Sequence, residues 1–431
     1  MVCLPDRFPR LRPHLAAMVT AVVLLAAAVP AGVPAETVRQ SEFRPLSPEV
    51  LGQGGSFVAV AEGYESLFTN PAGLARTTEP QLTLPSLTMW VHSRPDLLLP
   101  TIGALGGQDV STDGGTNQSR DELIIDNLSE QFTTNGFGMG TALGFGYVGN
   151  RIGVGMNIAM DSYLYGDTFP LGLEGEVTSQ FTLVFGYAHP FSVGPVDLAV
   201  GGALRPNLRV TSLVGSDTAA DLITQFTGVD TGDSGGDTAL LDSITALNGW
   251  GVAFDAGLLA GYRDFSFGLQ ARNLFNTNMQ YSRNSLQEVL DALSAGGLPS
   301  APQEGDAAYV SDTYIIPAEF SLGAAWQPDL GELAFLVDPE LHAEITDPFG
   351  WADLDRDRPD SFWTRVHLGT EVTFLRFFDL RFGVNQGYFT LGTGMELMFL
   401  DLQFALFSQE YGRYPGDQQV GGASLEVALR F

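Results

Sequence analysis

The sequence predicts an all-β fold, a transmembrane antiparallel β-barrel of about fourteen strands, and three observations predict it. Apolar and polar residues alternate with period two through much of the chain. Glycine and aromatic residues are abundant, with 51 Gly, 29 Phe and 12 Tyr in 431 residues and 16% charged residues. Yet no segment beyond residue 35 approaches the ~20 continuous apolar residues that a membrane helix needs. The chain also finishes in an alternating segment that ends on Phe431. A strand shows only every second residue to lipid, so a spanning barrel can be glycine-rich and aromatic without any long apolar run.

The first element is not part of the fold. Arg7, Arg10 and Arg12 precede an apolar run from Leu15 to Val29, and small residues follow, ending Val33-Pro34-Ala35. This is the pattern of a secretory signal peptide occupying residues 1–35, with cleavage expected after Ala35 and a mature start at Glu36. The single cysteine, Cys3, lies upstream of the apolar core and leaves with the peptide, which excludes a disulfide framework or a thiolate metal site. All 21 basic residues are Arg, and the net charge of -29 excludes a nucleic-acid partner, whose phosphates require a basic footprint. No motif calls for a cofactor.

Alternation places strands near 81–91, 137–148, 151–162, 178–189, 195–205, 249–262, 264–275, 315–327, 333–346, 362–375, 378–389, 390–400, 401–410 and 421–431. The last is the clearest: Leu425, Val427, Leu429 and Phe431 alternate with Ser424, Glu426, Ala428 and Arg430. A soluble β-sandwich would alternate too, but would not usually finish on an aromatic carboxyl-terminal residue. Phe431 resembles the signal read by the outer-membrane barrel assembly machinery, which makes that machinery and the lipids of the cell outer membrane expected partners. Connections near 149–150, 263 and 376–377 read as tight turns on one side, and 92–136, 206–248, 276–314 and 347–361 as outer loops. Short amphipathic helices are expected at Glu122–Phe132, Ala219–Phe226, Ala239–Leu247 and Leu286–Leu293.

Ahead of the first strand stand Leu51-Gly52-Gln53-Gly54-Gly55-Ser56-Phe57-Val58-Ala59-Val60-Ala61 and then Ser66-Leu67-Phe68-Thr69-Asn70-Pro71-Ala72-Gly73-Leu74-Ala75. Over residues 40 to about 77 the chain resembles the FadL/TodX family of outer-membrane transporters for long-chain fatty acids and other hydrophobic compounds. The wider superfamily, including PorV-type proteins, shares the glycine-rich stretch, the apolar run and the Asn-Pro-Ala box. The resemblance implies that residues 36–80 fold inside a barrel of residues 81–431 as a hatch, and that a hydrophobic ligand is captured in outer loops and leaves sideways through a strand kink. Gly54, Gly55, Asn70, Pro71, Ala72 and Gly73 are then the candidate gating residues. The local chemistry suits a plug: the glycines admit close backbone approach, and Asn70-Pro71 fixes an extended residue followed by one with no amide donor, where strand pairing must stop. An N-terminal edge strand with a turn is the other reading of these residues.

Other motifs carry less. Gly232-Asp233-Ser234-Gly235-Gly236 copies a protease nucleophile motif, but neither His92 nor His189 has the context of a catalytic histidine, so no enzyme is expected. Gly144-Phe145-Gly146-Tyr147-Val148-Gly149 has dinucleotide-fold spacing but leads through Asn150-Arg151 into another strand. Asp353, Asp355 and Asp357 alternate as Ca²⁺ ligands can, without the glycine and distal Glu of a helix-loop-helix site. Arg272, Arg365 and Arg381 fall on the polar strand face with Glu344, Glu371 and His367 and should line the lumen. Together with Phe57 these three arginines are the candidate ligand-binding residues, the arginines as charge-assisted partners of a carboxylate. The functional expectation is a passive channel with an internal apolar site. Its rival is a PorV-like scaffold or cargo-carrier barrel that holds a partner protein in its outer loops.

Overall fold

The computed structural model describes residues 37–93, 129–133, 136–168, 172–215, 244–294, 313–350 and 360–431. A short strand, β1 (Thr37–Arg39), comes first, followed by helix α1 (Pro48–Gly52) and two 3₁₀ turns, Tyr64–Leu67 and Pro71–Ala75. The wall begins with β2 (Gln81–Ser93), β3 (Phe137–Gly149), β4 (Ile152–Gly166), β5 (Leu173–Val193), β6 (Val196–Val214) and β7 (Thr245–Tyr262). It continues with β8 (Phe265–Arg272), β9 (Thr277–Ser285), helix α2 (Leu286–Ser294), β10 (Thr313–Ile316), β11 (Glu319–Trp326) and β12 (Val337–Thr346). The remaining strands are β13 (Val366–Phe374), β14 (Phe378–Asn385), β15 (Tyr388–Leu397), β16 (Leu400–Glu410) and β17 (Gln419–Arg430).

Wall strands pair antiparallel with the next wall position along the chain, β8 and β9 both pairing with β7 on one side and with β11 and β10 on the other, and β17 pairs with β2, so the sheet closes on itself. β8 with β9, and β10 with β11, are halves of two interrupted strands, which leaves fourteen wall positions. Closure satisfies every edge, the condition for a sheet to cross lipid. Large apolar side chains such as Ile152, Val154, Ile158, Phe254, Phe267 and Phe382 stand exposed on the outside, while their polar neighbours are buried inward. Among the described residues no helix is long and apolar enough to cross a membrane. The closed wall with its apolar exterior is what makes the strands the spanning elements and the outside the lipid-facing surface.

Short hairpins join β3 to β4, β5 to β6, β7 to β8, β13 to β14 and β15 to β16 at one end, the short-turn end. The long connections leave from the opposite end, the long-loop end.

Several local expectations are corrected. The strand expected at 264–275 breaks after Arg272, and 277–285, expected to be loop, is strand. Asn273, Phe275 and Asn276 take left-handed φ of 48°, 70° and 61°, a conformation Asn tolerates best among residues with a Cβ. Residues 245–247, expected to be helical, belong to β7 because they pair with β9, Thr245 opposite Ser285. The strand expected from 333 begins at Val337 behind a 3₁₀ turn, Gly331–Phe335, and the one expected from 362 begins at Val366 behind Phe362–Arg365. The helix expected at 286–293 is α2, and residues 129–133 of another are helical. The signal peptide, Ala219–Phe226, the serine motif at 232–236 and Asp353, Asp355 and Asp357 lie outside the described residues.

Candidate functional site

Residues 37–76 run through the lumen. β1 pairs parallel with β10, Thr37 opposite Thr313, so the chain enters at the long-loop end and descends to Gln81 at the short-turn end. Beyond β1, which pairs at the edge of β10, it forms helix and turns, and wall side chains bond several of its backbone groups. The Glu344 carboxylate accepts from the amides of Phe57 and Val58 at 2.8 and 2.9 Å. His342 Nδ1 meets Ser56 O at 2.9 Å, and His367 Nδ1 meets Gly54 O at 3.0 Å. Gln53 donates to Glu371 at 2.7 Å, and Gln270 and Arg272 donate to the carbonyls of Thr69 and Phe68. Each bond gives a buried amide or carbonyl the partner that water supplied before burial.

The candidate gating residues lie where plug and wall touch. Asn70, fully buried, donates from Nδ2 to Val58 O at 2.9 Å and accepts at Oδ1 from Ala72 N at 3.1 Å, capping the turn that Pro71 opens. A Cβ on wall residue Gly257 would fall 1.9 Å from Asn70 Oδ1, and one on Gly201 would fall 2.4 Å from Ala72 N. Gly73 lies equally close to its own chain, a Cβ there meeting Ala61 O at 2.4 Å. Gly54, at φ 70°, presses on β13 and β14: a Cβ would meet Leu368 O at 2.3 Å and Val384 N at 2.8 Å. Gly55, at φ 81°, faces His367 in the same way. Tyr64, Leu67 and Leu74 pack with Val148, Val184, Ala188 and Ala203 of the wall, and Leu51 with Ala405 and Phe407.

Charge fixes the upper plug. The Glu42 carboxylate is met by Arg272 at 2.9 and 2.8 Å, Arg205 at 2.8 Å and Arg44 at 2.9 Å. Arg44 also pairs with Glu319 at 2.5 Å, and Arg205 with Asp255. Burial alone would raise the Glu42 pKa, but Arg272, Arg205 and Arg44 outweigh it and hold the carboxyl well below its ordinary value. Lower down, burial pushes Glu49 of α1 up to about 8; Glu65 and Glu371 add repulsion, and Arg381 and Arg430 oppose it.

Between plug and wall lies a cavity of about 540 Å³, within the range of small-molecule sites. Its plug side carries Phe43, Leu46, Val50, Leu51, Phe57 and Phe68 beside Arg44, Ser47, Glu65 and Thr69; its wall side is mostly polar, with Gln180, Thr182, Gln270, Ser321, Glu344 and Asn385. The expected internal apolar site is thus an apolar patch on the plug within a largely polar lining. Phe57, Arg272 and Arg365 line it; Arg381 does not, being buried against Glu371, Asp379 and Gln403 on the far side of α1. Arg272 is engaged by Glu42, and Arg365 donates to Asp347 O at 2.8 Å.

Beside Arg205 and Arg272 the wall is interrupted. From Ala271 to Gln280 the seventh wall strand advances nine residues while its partner, Ala256 to Trp250, advances six, so three residues are extruded. On the other side Pro317 offers no amide, and Ala318 N donates to Asn276 Oδ1 at 2.8 Å. Leu274 folds over Ala271 and Phe320 on the outside, and Phe275 points into the membrane. Inside, the gap is closed by Asp255, which accepts from Arg205 and from Asn273 N at 2.9 Å, and by Thr277, which donates to Asn273 Oδ1 at 3.0 Å.

No protein-family model matches the chain, and no curated protein matches it either. Among solved structures it is similar to the Ralstonia pickettii toluene transporter TbuX, at 14% identity over 89% of this chain and 97% of that one, with a TM-score of 0.45. It is also similar to the P. putida toluene transporter TodX, at 12% identity over 88% and 96%, TM-score 0.43. A Pseudomonas aeruginosa FadL homologue is similar at 12% identity over 89% and 97%, TM-score 0.40. At these scores the likenesses carry nothing about what this chain binds or moves.

Sequence reasoning passed over Glu42, Arg205 and Glu344 as anchors of the plug, and the wall glycines Gly201, Gly257, Gly369 and Gly383 as its contact track. Only the glycines left a trace: in the alternating strands they occupy inward positions, where a side chain would normally fill the lumen.

Proposed function

We propose that the chain is an energy-independent outer-membrane channel for hydrophobic small molecules that carry a polar end, long-chain fatty acids being the class that fits best, with residues 37–76 as its movable gate. The observation that carries this reading is the two-faced cavity, where an apolar body can lie on Phe43, Leu46, Phe57 and Phe68 while a polar group meets Gln180, Gln270 and the rest of the wall. Gln180 and Gln270 already hold protein partners, so the polar end of a ligand would use their remaining hydrogen-bonding capacity, whereas a wholly hydrophilic ligand would lose its own hydration against the phenylalanines. The interruption at Asn273–Asn276 is the proposed sideways exit. It adjoins the cavity through Arg205 and Arg272, and the Glu42 cluster ties its inner seal to the plug, so plug movement and wall opening are coupled.

Mass spectrometry of lipid co-purifying with the detergent-extracted protein tests the reading. A stoichiometric amphipathic ligand, lost on replacing Phe57 with a charged residue, is expected. Recovery of a bound protein and no lipid would favour the scaffold reading instead.

A further inference from the structure

The short-turn end of the barrel is not uniform around its circumference. Three hairpins there are polar or small at their tips: Asn150-Arg151, Gly194-Pro195 and Arg263-Asp264. From β11 to β17, seven consecutive wall positions, the same end carries large apolar side chains, with exposed Asp329 and Glu332 beside those of the β11–β12 turn. Leu333 of the turn joining β11 to β12 is 62% exposed, Met398 of the β15–β16 turn is 100% exposed, and Phe431 is 62% exposed. Phe335, Leu375 and Phe377 fill the arc between them. Surfaces of this extent in water mark contact sites, because each large apolar side chain left in water forgoes a burial gain.

From this geometry we propose that the arc from β11 to β17 is immersed in the phospholipid headgroup layer on the short-turn side, seating the barrel obliquely, with Arg376 meeting lipid phosphate. Lipid is the occupant because the arc continues the lipid-facing wall without a polar ring between them: exposed Val337 and Leu397 stand directly above the turns. Arg376 adds the second half of an interfacial pair. Its guanidinium carbon lies 5.6 Å over the Phe335 ring, so an aromatic body and a cationic tip sit at one level, the combination found at membrane interfaces. On the opposite arc Arg263 over Tyr262, at 5.2 Å, makes the same pair at the end of the strand itself, with no apolar turn beyond it. The two pairs mark the headgroup level, and the apolar turns lie at or below it on one side only.

The test uses full-length protein with Cys3→Ser and single cysteines introduced by Leu333→Cys, Met398→Cys, Gly194→Cys or Asp264→Cys, all at exposed turns. Each is labelled with a nitroxide and reconstituted into phosphatidylethanolamine–phosphatidylglycerol bilayers. Labels at 333 and 398 are expected to collide mainly with oxygen and those at 194 and 264 mainly with a water-soluble nickel chelate, with at least a severalfold difference in the ratio between the arcs. Equal chelate access at all four positions would overturn the proposal. Protection of 333 and 398 in native membranes but not in lipid alone would also overturn it, in favour of a protein partner. Should one labelled variant fail to assemble, the other position of that arc decides.

Discussion

Replacing Glu42 should unseat the plug without unfolding the barrel. The carboxylate is 8% exposed and serves three guanidiniums; in its absence Arg205 keeps Asp255 and Arg44 keeps Glu319, while Arg272 loses its paired carboxylate. Removing one member of a buried ion pair costs about 3–5 kcal/mol, because the other charge stays buried without compensation. At about 1.4 kcal/mol per tenfold, Glu42→Ala should raise the displaced-plug population by roughly a hundredfold to a few thousandfold. Single-channel recording in planar bilayers reads this as open events that the unaltered protein lacks. Glu42→Ala combined with Arg272→Met should be quieter than Glu42→Ala alone, since the orphaned charge has gone. A Glu42→Ala channel as silent as the original, or a double variant no quieter than the single, would refute the reasoning. Because Glu42 is held below its ordinary pKa, its contribution persists down to pH 4.5 and is lost only as pH falls through the depressed value.

Three further outcomes follow from the same contacts. Burial pushes the Glu49 carboxyl of the seated plug up to about 8, above its ordinary value of 4.5, so the seated form holds the extra proton; seating should weaken as pH rises from 4.5 to about 8, and Glu49→Gln should reduce that slope in open probability, with Glu65, also raised by burial, supplying part of the rest. Gly54→Ala, whose Cβ would meet backbone on β13 and β14 at a φ of 70°, should give a folded, heat-modifiable but leaky barrel, whereas Gly387→Ala, at φ 94° with nothing within 4 Å, should stay plugged; equal leakage in both would contradict the contact argument. Phe431 stacks on Phe399 at 5.8 Å and 5°, worth about 0.5–1.5 kcal/mol, so Phe431→Ser should refold normally into detergent while its level in the outer membrane falls; an unchanged level would count against the terminal residue as an assembly signal.

The strands were legible because lipid on one side and a polar lumen on the other force period two on each of them, and Ile152–Met160 or Leu425–Phe431 cannot satisfy both sides any other way. The wall interruption was not legible. Asn273 and Asn276 tolerate left-handed backbone, but whether a strand extrudes residues depends on what its neighbours do, and Pro317 stands over forty residues away. The Asn70-Pro71-Ala72-Gly73 box stood out in the sequence; the side chains that hold this segment to the wall did not. Arg205 fell at the edge of an expected strand, and Glu344 looked like any inward polar residue until Phe57 and Val58 were beside it. Residues 245–247 illustrate tertiary pairing overriding local preference, since a short apolar run is helix or strand according to the partner it meets.

The central claim, that ligand passes only when the plug moves, is tested by locking it. Ala59 Cβ lies 3.2 Å from where a Cβ on Gly323 would stand, a few tenths of an ångström short of the roughly 3.5–4.5 Å that a disulfide spans, so a small outward shift of the plug backbone would accommodate the bridge. With Cys3→Ser as background, Ala59→Cys and Gly323→Cys together should form a bridge between plug and wall. Uptake of a long-chain fatty acid into proteoliposomes should stop under oxidation and return on reduction. Equal flux in the oxidised and reduced states would contradict the account.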